Sequence, residues 1–114
     1  MGRPSTAVRP EIAADELIPC RQAAENLADV MRALSNATRI QAVLYLASRD
    51  CCAVGVCELA RHLQIPSANM SYHLKELWEA GVLAKTRHKN TVSYWIEPAC
   101  VPLIEFLATR ILQR

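Results

Sequence analysis

The sequence has little of what several function classes need. Its 114 residues include only 3 glycines and no glycine-rich phosphate loop, which argues against a nucleotide-binding enzyme. No apolar run approaches the roughly 18 residues of a membrane span, and the first residues lack the apolar stretch of a signal peptide. It also contains no internal repeat and no low-complexity segment. We therefore expect one domain in the cytoplasm, with no membrane partner.

The positive charge is concentrated in the middle of the chain. The formal net charge is +2, but residues 61–89 carry five basic and two acidic side chains, a local net charge of +3. A basic region of this kind suits contacts with nucleic-acid phosphates.

Hydrophobic periodicity predicts a helical domain over residues 21–114. Residues 1–20 hold three of the six prolines and little periodicity, so we interpret them as a mobile N-terminal arm. After the arm, apolar residues recur at helical spacing in five segments. These stripes are Leu27, Val30, Met31 and Leu34; Ile40, Val43, Leu44 and Ala47; Leu59, Ala60 and Leu63; Met70, Leu74, Leu77 and Trp78; and Ile104, Leu107, Ala108 and Ile111.

Two of these segments are separated by a tight turn and followed by a change of period. Residues 56–63 and 68–80 read as a helix-turn-helix, with Ser67 as N-cap of its second helix and Gly81 as its stop. Residues 82–88 and 91–97 then alternate like a hairpin that turns at Lys89 and Asn90. The fold class that follows is mainly α with a small β-hairpin, a winged helix-turn-helix with about five helices. Thr38 or Asn36 can cap the helix that precedes this motif.

The second helix of such a motif places its N-terminal part in the major groove of DNA. Its outward positions carry short polar groups and an aromatic ring, which suit base edges and phosphates, and the hairpin adds basic groups that could reach an adjacent groove. The predicted DNA-binding residues are Ser67, Ala68, Asn69, Ser71, Tyr72, His73, Lys75, Arg87, His88 and Lys89.

The same segments resemble the ArsR/SmtB family of metal(loid)-responsive repressors over about residues 24–107. The resemblance implies a homodimer built on the first and last helices. It also implies binding to a pseudo-palindromic operator in double-stranded DNA, and release when an inducer binds. The matching segments are Ala33-Leu34-Ser35-Asn36-Ala37-Thr38-Arg39, Cys57-Glu58-Leu59-Ala60-Arg61-His62-Leu63, Ser67-Ala68-Asn69-Met70-Ser71-Tyr72-His73-Leu74-Lys75 and Leu77-Trp78-Glu79-Ala80-Gly81-Val82-Leu83.

The cysteines are the candidate inducer site. One family pattern, Cys-Val-Cys at the start of the first motif helix, binds arsenite, antimonite, cadmium or lead, and here the window reads Gly55-Val56-Cys57. Only the second cysteine matches, but Cys51 and Cys52 lie just upstream and could supply the other thiolates. Soft thiolates select thiophilic centres, and three sulfurs without another ligand suit trivalent arsenic or antimony.

Two further cysteines, Cys20 and Cys100, can be compared with other ligand positions of the same family. In the cadmium- and lead-sensing branch, arm cysteines reach the motif of the partner subunit, a part that Cys20 could play. The family's zinc site of Asp and His ligands falls at positions such as Pro98 and Cys100, which lack those ligands, so Cys100 is expected to pack or oxidise.

The same sequence is compatible with several other functions. The chain could be a cadmium or lead sensor, or a repressor of the same fold that responds to oxidants or persulfides through these thiols. A protein-binding winged domain is a third alternative, distinguished by failure to bind promoter DNA. A cysteine enzyme would need a base near its nucleophile, and the histidines lie on the predicted DNA face, so no enzymatic activity and no required cofactor are expected.

Overall fold

The computed structural model describes residues 21–49 and 53–112. The predicted arm, residues 1–20, lies outside the described residues, and so do Cys20, Cys51 and Cys52. The division of the chain at residue 20 therefore stays a prediction.

The described part of the chain contains five α-helices and three short strands, which confirms the predicted winged helix-turn-helix class. A single 3-10 turn at Pro98–Cys100 precedes the last helix. The elements in chain order are α1 (Arg21–Leu34), α2 (Ala37–Ser48), β1 (Val54–Gly55), α3 (Val56–Leu63), α4 (Ser67–Glu79), β2 (Leu83–His88), β3 (Thr91–Ile96) and α5 (Val101–Leu112).

The three strands form one antiparallel sheet in the order β1-β3-β2. The predicted hairpin is present, with Leu83 opposite Ile96 and His88 opposite Thr91. Lys89 opens its turn in the left-handed region, at φ 59°. Strand β1 was not predicted, because two residues are too few to show a period of two. It is held by pairing of Val54 with Tyr94, a contact between distant parts of the chain.

The helix ends follow local chemistry. Asn36 rather than Thr38 caps α2, since its side chain accepts a hydrogen bond from the backbone N–H of Arg39 at 3.1 Å. The prediction that Ser67 caps α4 was wrong by one residue. Pro66 takes the extended cap position with its carbonyl accepting from Met70 N at 3.0 Å, so Ser67 is already helical. Gly81 ends the turn after α4 at φ 86°, as predicted.

The core lies where α2, α3, α4 and the sheet meet. Its buried members on the recognition-motif helices are Leu59, Ala60, Met70, Leu74 and Leu77, all from the predicted stripes. The remaining buried residues are Ala33, Leu34, Ala42, Val43, Leu46, Val54, Val82, Leu83, Tyr94 and Ile104.

Trp78 is not part of this core, which corrects its assignment to the buried face of α4. Its side chain is 39% exposed, and the Lys85 ammonium lies 3.7 Å from the centre of its ring. The ring is large and lies at the edge of the stripe, so it covers the junction between α4 and β2 instead of entering the core. A cation over an indole face is a favourable arrangement.

Candidate DNA interface and cysteine site

The orientation of α4 is set by its buried face. Met70, Leu74 and Leu77 are completely buried, and they follow one another at helical spacing. The opposite side must therefore face outward, and six of the predicted contact positions on it are exposed. These are Ser67, Ala68, Asn69, Ser71, Tyr72 and Lys75.

His73 differs from these positions because it is half-buried. Its Nδ1 accepts a hydrogen bond from Arg39 Nε at 3.1 Å. Burial, and then the nearby Arg39 charge, lower the pKa of His73, while Glu76 opposes them. The neutral ring is the form that this arrangement favours, so His73 is engaged within the protein as well as near the outward face.

Arg39 is the residue at this site that sequence reasoning missed. Besides His73, its guanidinium donates to the backbone carbonyl of Ala33 at 3.3 Å and lies 5.7 Å from the ring centre of Tyr72. Arg39 and His73 are 34 positions apart, so no periodicity could have paired them. The one local indication was that Arg39 is a basic side chain in the first turn of α2, where the helix dipole favours acidic side chains.

The wing carries its predicted residues at its tip. Arg87 and His88 end β2, Lys89 begins the turn, and all three are exposed. No described acidic side chain forms an ion pair with Arg87 or Lys89. Their charge is therefore free to meet a phosphate or a groove edge.

Cys57 is exposed in the first turn of α3, the first helix of the motif. The other cysteines proposed with it, Cys51, Cys52 and Cys20, lie outside the described residues. Within residues 21–49 and 53–112, no three His, Cys, Asp or Glu side chains lie together in a way that could hold a metal ion. The predicted metal site thus stays a prediction, with one member placed.

Beside Cys57, Glu58 ties α3 to the end of α2. The hydroxyl of Tyr45 donates to Glu58 Oε2 at 2.6 Å, and Arg49 lies 3.5 Å from the same oxygen. The ring of His62 packs on Tyr45 with the ring centres 4.1 Å apart. The hydrogen bond to Glu58, and next burial, raise the pKa of Tyr45.

Cys100 lies elsewhere, between the wing and α5. It is half-buried, and its thiol donates to the backbone carbonyl of Gly81 at 3.5 Å. Burial, followed by the charge of Glu97, raises the pKa of the Cys100 thiol, which favours the protonated form. This is the packed environment expected for it.

Comparison with protein families gives one match, over the helix-turn-helix and the start of the wing. Residues 36–85 match the model of the bacterial regulatory protein, arsR family. This span contains Arg39, Cys57 and all of α4, and the resemblance read from the sequence is thereby confirmed.

Solved structures of similar fold cover most of the chain. The homodimeric winged helix-turn-helix DNA-binding domain Mb0332 from Mycobacterium bovis has a TM-score of 0.72 at 18% identity, covering 90% of each chain. HlyU from Vibrio cholerae has a TM-score of 0.71 at 22% identity, covering 82% of this chain and 99% of its own. AntR, an antimony-specific transcriptional repressor, has a TM-score of 0.69 at 23% identity, covering 97% of this chain and 93% of its own.

Comparison with curated protein sequences finds no match. Among the described residues, no helix is both long enough and apolar enough to cross a membrane. The chain thus has the winged helix-turn-helix fold of these proteins, and its family match is to bacterial regulatory proteins.

Proposed function

We propose that this chain is a transcriptional repressor that binds operator DNA as a homodimer. The observation that carries the proposal is the exposed polar face of α4, whose opposite side is locked into the core by Met70, Leu74 and Leu77. A helix held in this way can enter the major groove without moving. Arg87 and Lys89 at the wing tip would then add contacts to the backbone or the minor groove.

The dimer is supported by apolar side chains on the first and last helices. Leu27 is 52% exposed, Met31 47% and Phe106 59%. Met31 also lines an apolar cleft together with Ile104 and Leu107 of α5, and exposed apolar surface of this kind is typical of a contact site. A two-fold dimer would present two copies of α4 to half-sites about one helical turn of DNA apart.

DNA binding can be tested with the promoter fragment of the chain's own gene. Fluorescence anisotropy should show tighter binding to this fragment than to a scrambled one. Asn69→Ala should reduce the difference in affinity between the two fragments, because it removes a base-edge contact. Lys75→Gln should weaken binding to both fragments and reduce the salt dependence of binding. Equal affinity for promoter and scrambled DNA would contradict the proposal.

We further propose that a thiol-seeking metal(loid) releases the repressor, with trivalent arsenic or antimony as the inducer. The support is the exposed Cys57 in the first turn of α3, together with Cys51 and Cys52 a few positions away in the sequence. Cys20 is the candidate for a further thiolate from the partner subunit. AntR, similar in fold, is an antimony-specific repressor.

Ligation at Cys57 would act on the motif directly. Gathering thiolates around the first turn of α3 would shift that helix, and α4 packs on it. The two copies of α4 would then no longer match the half-site spacing. A coupling of about 1–3 kcal/mol between inducer and DNA is typical of such linkages.

The inducer test follows DNA release under reducing conditions. Arsenite, antimonite, cadmium, lead and zinc are each titrated into the operator complex of the wild type, Cys57→Ser and the control Cys100→Ser. We expect arsenite or antimonite to release the wild type and Cys100→Ser but not Cys57→Ser. Release by cadmium or lead alone would change the inducer. If no metal releases the DNA, the titration is repeated with peroxide and polysulfide without reductant, and release that reductant reverses would make the thiols a redox switch.

A further inference from the structure

The contacts of Arg39 join three helices at one side chain. Arg39 lies in the first turn of α2, donates to the Ala33 carbonyl at the end of α1, and reaches two consecutive residues of α4. On α4 it bonds His73 at 3.1 Å and lies over the ring of Tyr72. The Tyr72 and His73 rings are themselves 5.5 Å apart between centres.

We propose that Arg39 is a positioning residue for DNA reading, which holds Tyr72 and His73 in the arrangement that α4 presents to the operator. This inference rests on the proposed DNA-binding function and extends it to a residue outside the predicted interface. Arg39 acts through the two rings, so its effect on DNA does not require it to touch DNA.

The hydrogen bond also selects one form of His73. A neutral imidazole has one nitrogen that donates and one that accepts. Because Nδ1 accepts from Arg39, the ring proton must sit on Nε2, and Nε2–H is left as a donor of fixed direction. Protonation of Nδ1 would place an N–H against the guanidinium and break the bond.

The charged groups around the ring agree with this selection. Arg39 faces it from α2, and Glu76 lies one turn further along α4. The adjoining cleft is also lined by Asp29 and Arg32 of α1, which pair with each other, and by Glu79 of α4. The Arg39 cation therefore meets the ring directly, while the two α1 charges largely offset one another.

The test compares charge-matched variants on the operator. Arg39→Gln and Arg21→Gln each remove one positive charge, and among the described side chains Arg21 forms a hydrogen bond with Glu25 alone. Arg39→Lys keeps the charge but loses the planar group that bonds and stacks. We expect Arg39→Gln and Arg39→Lys to bind the operator about tenfold more weakly than the wild type. Arg21→Gln should bind it with wild-type affinity. Wild-type affinity in Arg39→Lys would overturn the inference, since charge alone would then suffice.

Nitrogen NMR of the His73 ring in the free protein supplies a readout that does not depend on DNA. The wild type should carry its proton on Nε2, and Arg39→Gln should mix the two tautomers and raise the pKa of His73. An unchanged ring in Arg39→Gln would overturn the inference. Absence of operator preference in the wild type would instead contradict the proposed function, and the NMR result would still stand by itself.

A double-mutant cycle tests separately whether Arg39 acts through the His73 ring. His73→Leu removes the acceptor, and His73→Asn keeps an oxygen near the position of Nδ1. If Arg39 acts through the ring, the losses in operator affinity of Arg39→Gln and His73→Leu should not add in the double variant, and His73→Asn should lose less than His73→Leu. Additive losses would show two independent contacts and overturn the inference.

Discussion

At the scale of single residues, the polar contacts of this protein are few and specific. Buried side chains in the described part of the chain are all apolar, and the paired polar groups lie either along exposed helix surfaces or between helices. Tyr45 and Glu58 form such a pair between α2 and α3, and Glu58 directly follows Cys57 in the chain. Their hydrogen bond joins the first turn of α3, which carries Cys57, to α2.

This pair gives a pH-dependent prediction. Glu58→Gln should lower the pKa of Tyr45 toward its ordinary value, because the hydrogen bond to the carboxylate is the largest cause of its rise. Because the pKa of Tyr45 is higher in the folded protein, its protonated hydroxyl contributes to stability in full at any pH below the ordinary tyrosine pKa. That contribution is lost as the pH rises through the raised pKa. NMR titration of the Tyr45 ring measures this, with Glu76→Gln as control. A Tyr45 titration unchanged by Glu58→Gln would contradict the assignment.

At the scale of elements, the end of α4 controls where the wing begins. Gly81 has φ 86°, and Val82 N donates to the Leu77 carbonyl at 2.9 Å to close the helix. Val82 and Leu83 then enter the core, and Lys85 returns to cover Trp78. The direction of the wing relative to α4 is thus decided at one glycine.

Gly81→Ala should destabilise the domain by about 1 kcal/mol. A Cβ at this position would meet nothing within 4 Å, so the whole cost comes from the left-handed backbone and none from crowding. Gly81→Asn should cost less, because asparagine tolerates that conformation. Urea denaturation of the three proteins measures the order, and equal losses for Ala and Asn would show that the backbone conformation is not the cause.

At the scale of the whole molecule, the large exposed apolar side chains of the described residues, apart from Trp78 under Lys85, occur in two places with different expected partners. Leu27 and Met31 on α1, with Phe106 on α5, belong to the proposed dimer surface, next to an apolar cleft lined by Met31, Leu34, Ile40, Val43, Leu44, Ile104 and Leu107. Tyr72 lies on α4, among the residues proposed to read DNA. Exposed apolar side chains therefore occur both on the proposed dimer surface and on the proposed DNA-binding surface.

Two substitutions to glutamate, one on each surface, distinguish the dimer surface from the DNA-binding surface. Met31→Glu places a charge in the dimer surface and should give monomers in sedimentation velocity, with loss of operator binding as a consequence. Tyr72→Glu changes an equally exposed residue to the same charge and should stay dimeric while losing operator affinity. A dimeric Met31→Glu protein would place the subunit contact elsewhere.

The features that the sequence determined by itself are local ones. The five helices, the tight turn before α4, the stop at Gly81 and the two-residue turn of the wing all follow from spacings within a dozen residues. Such spacings reflect the helical and strand periods, which do not depend on the rest of the fold. For the same reason, five of the positions predicted to face outward on α4 are exposed, namely Ala68, Asn69, Ser71, Tyr72 and Lys75.

Only the tertiary structure decided which apolar and polar groups meet across the chain. It placed Trp78 under Lys85 rather than in the core, paired β1 with β3, and brought Arg39 to His73 across 34 positions. A periodic pattern states which side of an element is apolar, but not what covers it. Burial and hydrogen bonding between distant residues depend on how the elements pack together, and the local pattern contains no information on that.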